Sequence, residues 1–249
     1  MIVEVCAYSL ASCLTAQQAG AGRIELCGGM PEGGTTPSAG LIRQARQHLH
    51  IPLYVMIRPR GGDFLYNESE LAVMEDDIKL AQAYGADGIV LGLLNSDGTV
   101  DEATTQRLIR LAHPLPVTFH RAFDMTRDPA EALEAVIRTG AVRILTSGQQ
   151  PTADRGATLL QQLTRQAAGR IEIMAGSGVN AQNAQVLINA NVDALHLSGG
   201  IRHDSTMHYR QPALSMASSV PGEYDLVEAN TDKIQAVVTI TAQLRGSRQ

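Results

Sequence analysis

The sequence predicts an α/β fold, a single (β/α)8 barrel of the TIM type, and three observations predict it. Short apolar runs alternate with helix-like stretches along nearly the whole chain, the pattern of a parallel sheet with crossover helices. Eight of each fit within 249 residues, close to the usual size of such a barrel. A helix-to-strand phrase, Gly-Ala, one or two residues, then an apolar strand, recurs at Gly20, Gly85 and Gly140, with NVDA at 191–194 as a variant. A repeated turn is what a repeated βα unit requires.

Taken in order, residues 2–7 (IVEVCA) form the first strand, and Ser9 caps a helix over 9–19. Cys13 falls within that helix beside Leu10 and Leu14, as a small packed residue. The second strand covers 23–27 (RIELC), followed by a glycine-rich loop over 28–36 and a helix from Pro37, at its first position, to about 49. Strand 53–57 empties into RPRGGDFLY at 58–66, before a helix over 68–84 and strand 88–91. The turn NSDG at 95–98 leads to helix 101–111, then strand 116–120 and helix 129–139. Strand 142–146, helix 157–167, strand 171–175, helix 180–189 and strand 194–197 complete the alternation. No Pro/Ser-rich or charged linker interrupts it, so residues 1–249 are expected to form one domain. The exception is a long irregular stretch over 198–225, expected as a lid or binding loop, before a last helix over about 226–244.

Composition narrows the function. Net charge is −5 and no Lys/Arg run stands out, which argues against nucleic acid as a partner. The absence of Trp and the 4% aromatic content remove base-stacking platforms. No apolar run approaches the roughly 18 residues of a membrane span. Met1 leads straight into a strand without a basic leader. Three cysteines, an odd number, then suggest reduced thiols and a cytoplasmic location.

One pattern stands out chemically. IVEVC at 2–6 recurs as RIELC at 23–27 and, more weakly, as RIEIM at 170–174. Residues two apart on a strand share a face, so Glu4 goes with Cys6, Glu25 with Cys27 and Glu172 with Met174. Buried carboxylates are costly unless paired, so the repeat marks an internal cation network or a site.

Active sites of such barrels lie at the C-terminal strand ends. Those positions hold Cys6, Cys27, Arg58, Arg60, Asp63, His120, Arg121, Asp124, Thr146, Ser147, Glu172, His196 and Ser198. Four readings compete. Cys6 and Cys27, on neighbouring strands about 4.8 Å apart, could share a soft metal such as Cu(I), with Met174 or His120 nearby, or simply fill a tapering barrel. Gly176–Ser177–Gly178 and Ser198–Gly199–Gly200 could cradle an anion, with Arg58, Arg60 and Arg121 adding bidentate contacts, or serve only as turns. His120 with Asp124, Glu4 and Glu25 could move protons, or the carboxylates could pair with Arg58, Arg143 or Arg121. HDSTMH at 203–208 could capture a metal or lie on the surface.

The chain resembles the CutC family. The resemblance rests on EVC at 4–6, RIELCGG at 23–29, GGTTPS at 33–38, MIRPRGGDF at 56–64, TFHRAFD at 118–124, RILTSG at 143–148 and IMAGSGV at 173–179. It implies a cytoplasmic TIM barrel, a homodimer or higher oligomer, linked to copper homeostasis through Cu(I) held by cysteines of the EVC and RIELC blocks, here Cys6 and Cys27. A rival reading is an enzyme acting on a small anionic or phosphorylated metabolite. Its candidate catalytic residues are His120, Arg121, Asp124, Arg58, Arg60 and Asp63.

Overall fold

A computed structural model describes residues 1–214, 216 and 222–246 of the chain, with the side chains of 244–246 undescribed. Eight parallel strands close into a barrel: β1 (Ile2–Ala7), β2 (Arg23–Leu26), β3 (Leu53–Met56), β4 (Gly88–Leu91), β5 (Val117–Phe119), β6 (Arg143–Thr146), β7 (Glu172–Gly176) and β8 (Ala194–Leu197). β8 returns to β1 in parallel, Glu4 opposite His196, and this pairing closes the barrel. Around it run α1 (Leu10–Gln18), α2 (Ala39–His48), α3 (Glu68–Ala83), α4 (Glu102–Ala112), α5 (Pro129–Thr139), α6 (Ala157–Ala167), α7 (Ala184–Asn189) and α8 (Thr231–Gly246).

Local sequence explains where helices begin and end. Ser9, Ser38, Asn67, Asp101 and Asp128 each accept a backbone N–H of the first turn, satisfying donors that would otherwise be orphaned. Ser38 is the cap of α2, two residues later than a helix beginning at Pro37 would require, so Pro37 lies outside the helix. The recurring turn glycines take left-handed φ values, 87° at Gly20, 79° at Gly85 and 88° at Gly140. Asn191 does the same at 60°, as a residue that tolerates that region.

Alternation along the strands sorts side chains into two populations. Val3, Val5, Ile24, Leu26, Leu53, Val55, Ile144 and Ile173 point outward into the main hydrophobic core under the helices. Glu4, Cys6, Arg23, Glu25, Tyr54, Met56, Met174 and His196 belong to the other face, inside the barrel, where most interiors of this fold carry aliphatic layers.

Two expectations are corrected. The stretch 198–225 is not wholly irregular: β9 (Gly200–Asp204) pairs antiparallel with β10 (Asp225–Ala229), making a two-stranded arm. Residues 215 and 217–221 of it lie outside the described residues. The helix after the Gly176–Gly178 turn starts at Ala184 rather than 180, because Asn180 bends the chain first, accepting from Gln182 N and Asn183 N.

Candidate functional site at the barrel mouth

The floor of the barrel is an ion-pair layer. Glu4, fully buried, accepts from Arg23 Nε and from His196 Nδ1 at 2.8 Å. Burial would raise the carboxyl, but the hydrogen bond from His196 and the charge of Arg23 outweigh it and hold Glu4 down at about 2. The Arg23 guanidinium lies over the Tyr54 ring, 4.5 Å from its centroid, and reaches Met174 Sδ at 3.6 Å. Arg143 approaches the same ring at 5.7 Å and pairs with Glu172. Glu172 itself sits half exposed at the rim, so only Glu4 and Glu25 of the three repeated carboxylates are inside. The buried partner of Glu4 is Arg23, which stands two residues before Glu25 on the same face of β2. Arg58 and Arg121, expected alternatives, pair with neither interior carboxylate.

Above that layer the sulfurs meet. β1 and β2 place Cys6 opposite Glu25, and Cys27, two residues on, brings its Sγ to 3.7 Å from Cys6 Sγ. Cys27 Sγ is 3.6 Å from Glu25 Oε2, and His196 Nε2 is 3.7 Å from the same oxygen. Cys27 is sealed, whereas Cys6 is 8% exposed. The hydrogen bond from Cys27 outweighs burial and, with His196 beside it, holds the Cys6 thiol well below its ordinary range. The same hydrogen bond, burial and the negative charge on Cys6 push Cys27 up. Burial lowers His196, but Glu25, Cys6 and Glu4 together raise it well above an ordinary imidazole. Glu25 is pushed up, first by burial, and its Oε1 has no hydrogen-bond partner. The pair reads as one thiolate stabilised by an imidazolium, with a second thiol alongside.

A cavity of about 340 Å³ opens above these groups. Of the residues singled out in the sequence, Cys6, Glu25, Arg58, His120, Arg121, Ser177, Gly178, His196 and Ser198 line it. Arg58 is held by backbone: its terminal nitrogens donate to Glu32 O, Gly34 O and Gly62 O at 2.7–2.9 Å. His120 accepts from Ala122 N through Nδ1 at 3.2 Å, and burial together with Arg58 lowers it to about 3. It is therefore neutral and makes no hydrogen bond to Asp124. Asp124 is consumed by Arg121, Thr146, Ser147 and Gln149, tying the β5 and β6 loops together.

The remaining candidates lie outside this cavity. Arg60 turns to Asp63, Glu70 and the Tyr66 ring. Gly176 closes against Leu145 and His196, where a Cβ would come within 2.5 Å of Leu145 Cδ1. Gly199 and Gly200 line a neighbouring groove with Asp232 and Lys233 at the start of α8. His203 faces Glu228 on the arm at 3.7 Å, and His208 is exposed. Cys13 is buried in α1, where burial pushes it up to about 12. Among the described residues, the group able to gather three metal-ligating atoms is Cys6, Glu25 and His196, all within 4.8 Å of one another. Tyr8, which lines the cavity, was invisible to sequence reasoning. Arg23 could have been found, since alternation places it on the interior face with the repeated carboxylates; His196, singled out as a strand-end residue, is the second partner of Glu4.

Comparison with known proteins decides the family. A profile of the CutC family matches residues 1–201. The chain belongs to the CutC family. The copper homeostasis protein cutC homolog of Mus musculus is 46% identical over 241 residues, covering 96% of this chain and 89% of that protein. Its Homo sapiens counterpart is 44% identical, covering 98% and 90%. A solved CutC structure from Streptococcus agalactiae superposes with a TM-score of 0.76 at 38% identity, covering 80% of this chain and 99% of that one. The CutC match ends at residue 201, so all the cavity-lining residues fall within the family region.

Proposed function

We propose that this CutC protein serves copper homeostasis by taking Cu(I) between Cys6 and Cys27 at the base of the barrel mouth. The observation that carries the reading is the 3.7 Å separation of the two sulfurs on neighbouring strands. With metal–sulfur bonds near 2.3 Å, that spacing corresponds to an S–metal–S angle of about 107°, which leaves room for a third donor. His196 and Glu25 are placed to supply it, and Glu25 Oε1 is buried without a partner. Thiolate donors favour a soft monovalent ion, and the Met56 thioether packs in the same cluster. In the metal-free protein, the His196 imidazolium supplies the positive charge that an ion would otherwise bring to the Cys6 thiolate. A cytoplasmic location and a homodimer belong to the same reading; sedimentation equilibrium of the full chain decides the second.

The test is competition of the reduced protein against a Cu(I) chelator, in wild type, Cys6→Ser and Cys27→Ser. Each substitution is expected to weaken binding by ~100-fold or more, the upper end of what even a metal's outer-shell partners are worth. Equal affinities in all three would refute the reading.

A further inference from the structure

The cavity has two halves that differ in charge balance. On the sulfur side, Glu4 is matched by Arg23 and His196, and Cys6 and Glu25 face His196. Beyond them, after the neighbouring strand β3, stands Arg58, only 6% exposed and without a carboxylate in ion-pair range among the described residues. Its guanidinium is held by three backbone carbonyls and the Phe64 ring, 4.9 Å away, while Nε has no partner. Buried charges are otherwise paired, because leaving one uncompensated in low dielectric is costly. Carbonyl dipoles offset part of that cost, but they do not neutralise it.

His120 flanks the same Phe64 ring, with centroids 5.0 Å apart. Its Nδ1 accepts a hydrogen bond from Ala122 N, so the neutral ring carries its proton on Nε2. That Nε2 is buried and has no hydrogen-bond partner. Arg121, on the following turn, spends Nε on Asp124 and Nη2 on Ser147, leaving Nη1 without a partner among the described residues. All three side chains line one cavity of about 340 Å³, a volume suited to a small metabolite.

We infer that the Arg58–His120–Arg121 wall binds a small oxyanion, a carboxylate or a phosphate monoester, whose negative charge is the counter-charge Arg58 lacks. Arg121 supplies a second positive contact at the entrance, and His120 Nε2–H donates to an oxygen of the ligand. The wall shares the cavity with Cys6 but uses none of the sulfur ligands, so it stands or falls independently of the copper reading. It gives the open mouth a second ligand beside the one that a metal carrier needs.

Two simple anions probe it, inorganic phosphate and malonate, titrated separately into reduced, metal-free protein. Binding is followed by melting temperature and by the imidazole nitrogen resonances of His120. At least one anion should bind with Kd of ~10 mM or tighter, about −2.7 kcal/mol or more favourable. It should shift the His120 Nε2 signal and leave the Nε2–H tautomer in place. Phosphate alone would identify a phosphate ester as the natural class, and malonate alone a carboxylate; binding of both supports the oxyanion site without choosing. Arg121→Gln, at a half-exposed position, should lower affinity at least fivefold, and so should His120→Phe, while His120→Gln retains a donor and most of the affinity. Arg58→Met should abolish binding; because removing a buried arginine could unfold the chain, the Arg121 and His120 variants carry the test. Cys6→Ser/Cys27→Ser should leave anion binding unchanged. Failure of both anions to bind, or affinities unaltered by Arg121→Gln and His120→Phe, would overturn the inference.

Discussion

Glu4 is a carboxylate at zero exposure, kept ionised by one guanidinium and one imidazole. Removing either partner would leave a charge in low dielectric with too few donors. Arg23→Met is therefore expected to destabilise the protein by about 3–5 kcal/mol, read as a drop in the denaturation midpoint at unchanged m-value. A change below about 1 kcal/mol would mean that the pair behaves like a surface salt bridge. His120 is the complementary case, a polar ring kept neutral. Its folded pKa, about 3, lies below the ordinary 6.5, so the unfolded chain binds more protons between those values and stability falls as pH drops through that window. Glu4, at about 2 against 4.5, adds to the same acid loss at lower pH. His196, raised, is protonated in both states below 6.5 and contributes no slope there. Glu25, raised by burial, works in the opposite direction above 4.5, since its folded form binds a proton first. The contribution of His120 is therefore read as a difference: in chemical denaturation between pH 7 and 4, His120→Gln should lose less stability than wild type. A pH dependence unchanged by His120→Gln would contradict the neutral, buried His120.

At the scale of elements, β3 and β4 show how a small residue shapes the interior. Gly88 stands opposite Tyr54 in the strand register, and a Cβ there would lie 2.4–2.6 Å from the ring. The absent side chain is what lets Tyr54 lie flat beneath Arg23 and Arg143. Gly88→Ala is expected to cost about 1–3 kcal/mol through overpacking, and Tyr54→Leu should recover part of it in a double-mutant cycle. Additive costs would place the strain elsewhere. The barrel strands and most helices were legible because their apolar periodicity, serine and acid caps and Gly-Ala turns all agree. The β9–β10 arm was not. Its strands GIRHD and DLVEA mix polar and apolar residues, bury none fully and are separated by 20 residues from Asp204 to Asp225, so neither periodicity nor a short hairpin turn announces them. What fixes the arm is tertiary: Ala229 N donates to Ser12 Oγ on α1, and Asn230 N to Gly199 O.

For the whole molecule, closing β8 onto β1 converts a sequence repeat into a site. It brings His196 onto Glu4 across a separation of 192 residues, a contact no local pattern contains. That is why the Glu-x-Cys repeat could be read as interior, and Cys6 and Cys27 as neighbours, while the cations expected for the carboxylates, Arg58, Arg143 or Arg121, included the partner of Glu172 but not Arg23, the partner of Glu4. The same closure divides the mouth into a sulfur side and an arginine side. The candidate ligand groups are concentrated at one end of the barrel, where eight strand ends converge on one cavity. The proposed copper site lies on the sulfur side. X-ray absorption at the copper edge, on reduced protein loaded with one equivalent of Cu(I), tests it most directly. Two sulfur scatterers per copper are expected in wild type and one fewer in Cys27→Ser. A copper environment of only nitrogen and oxygen, or a sulfur count unchanged by Cys27→Ser, would contradict it.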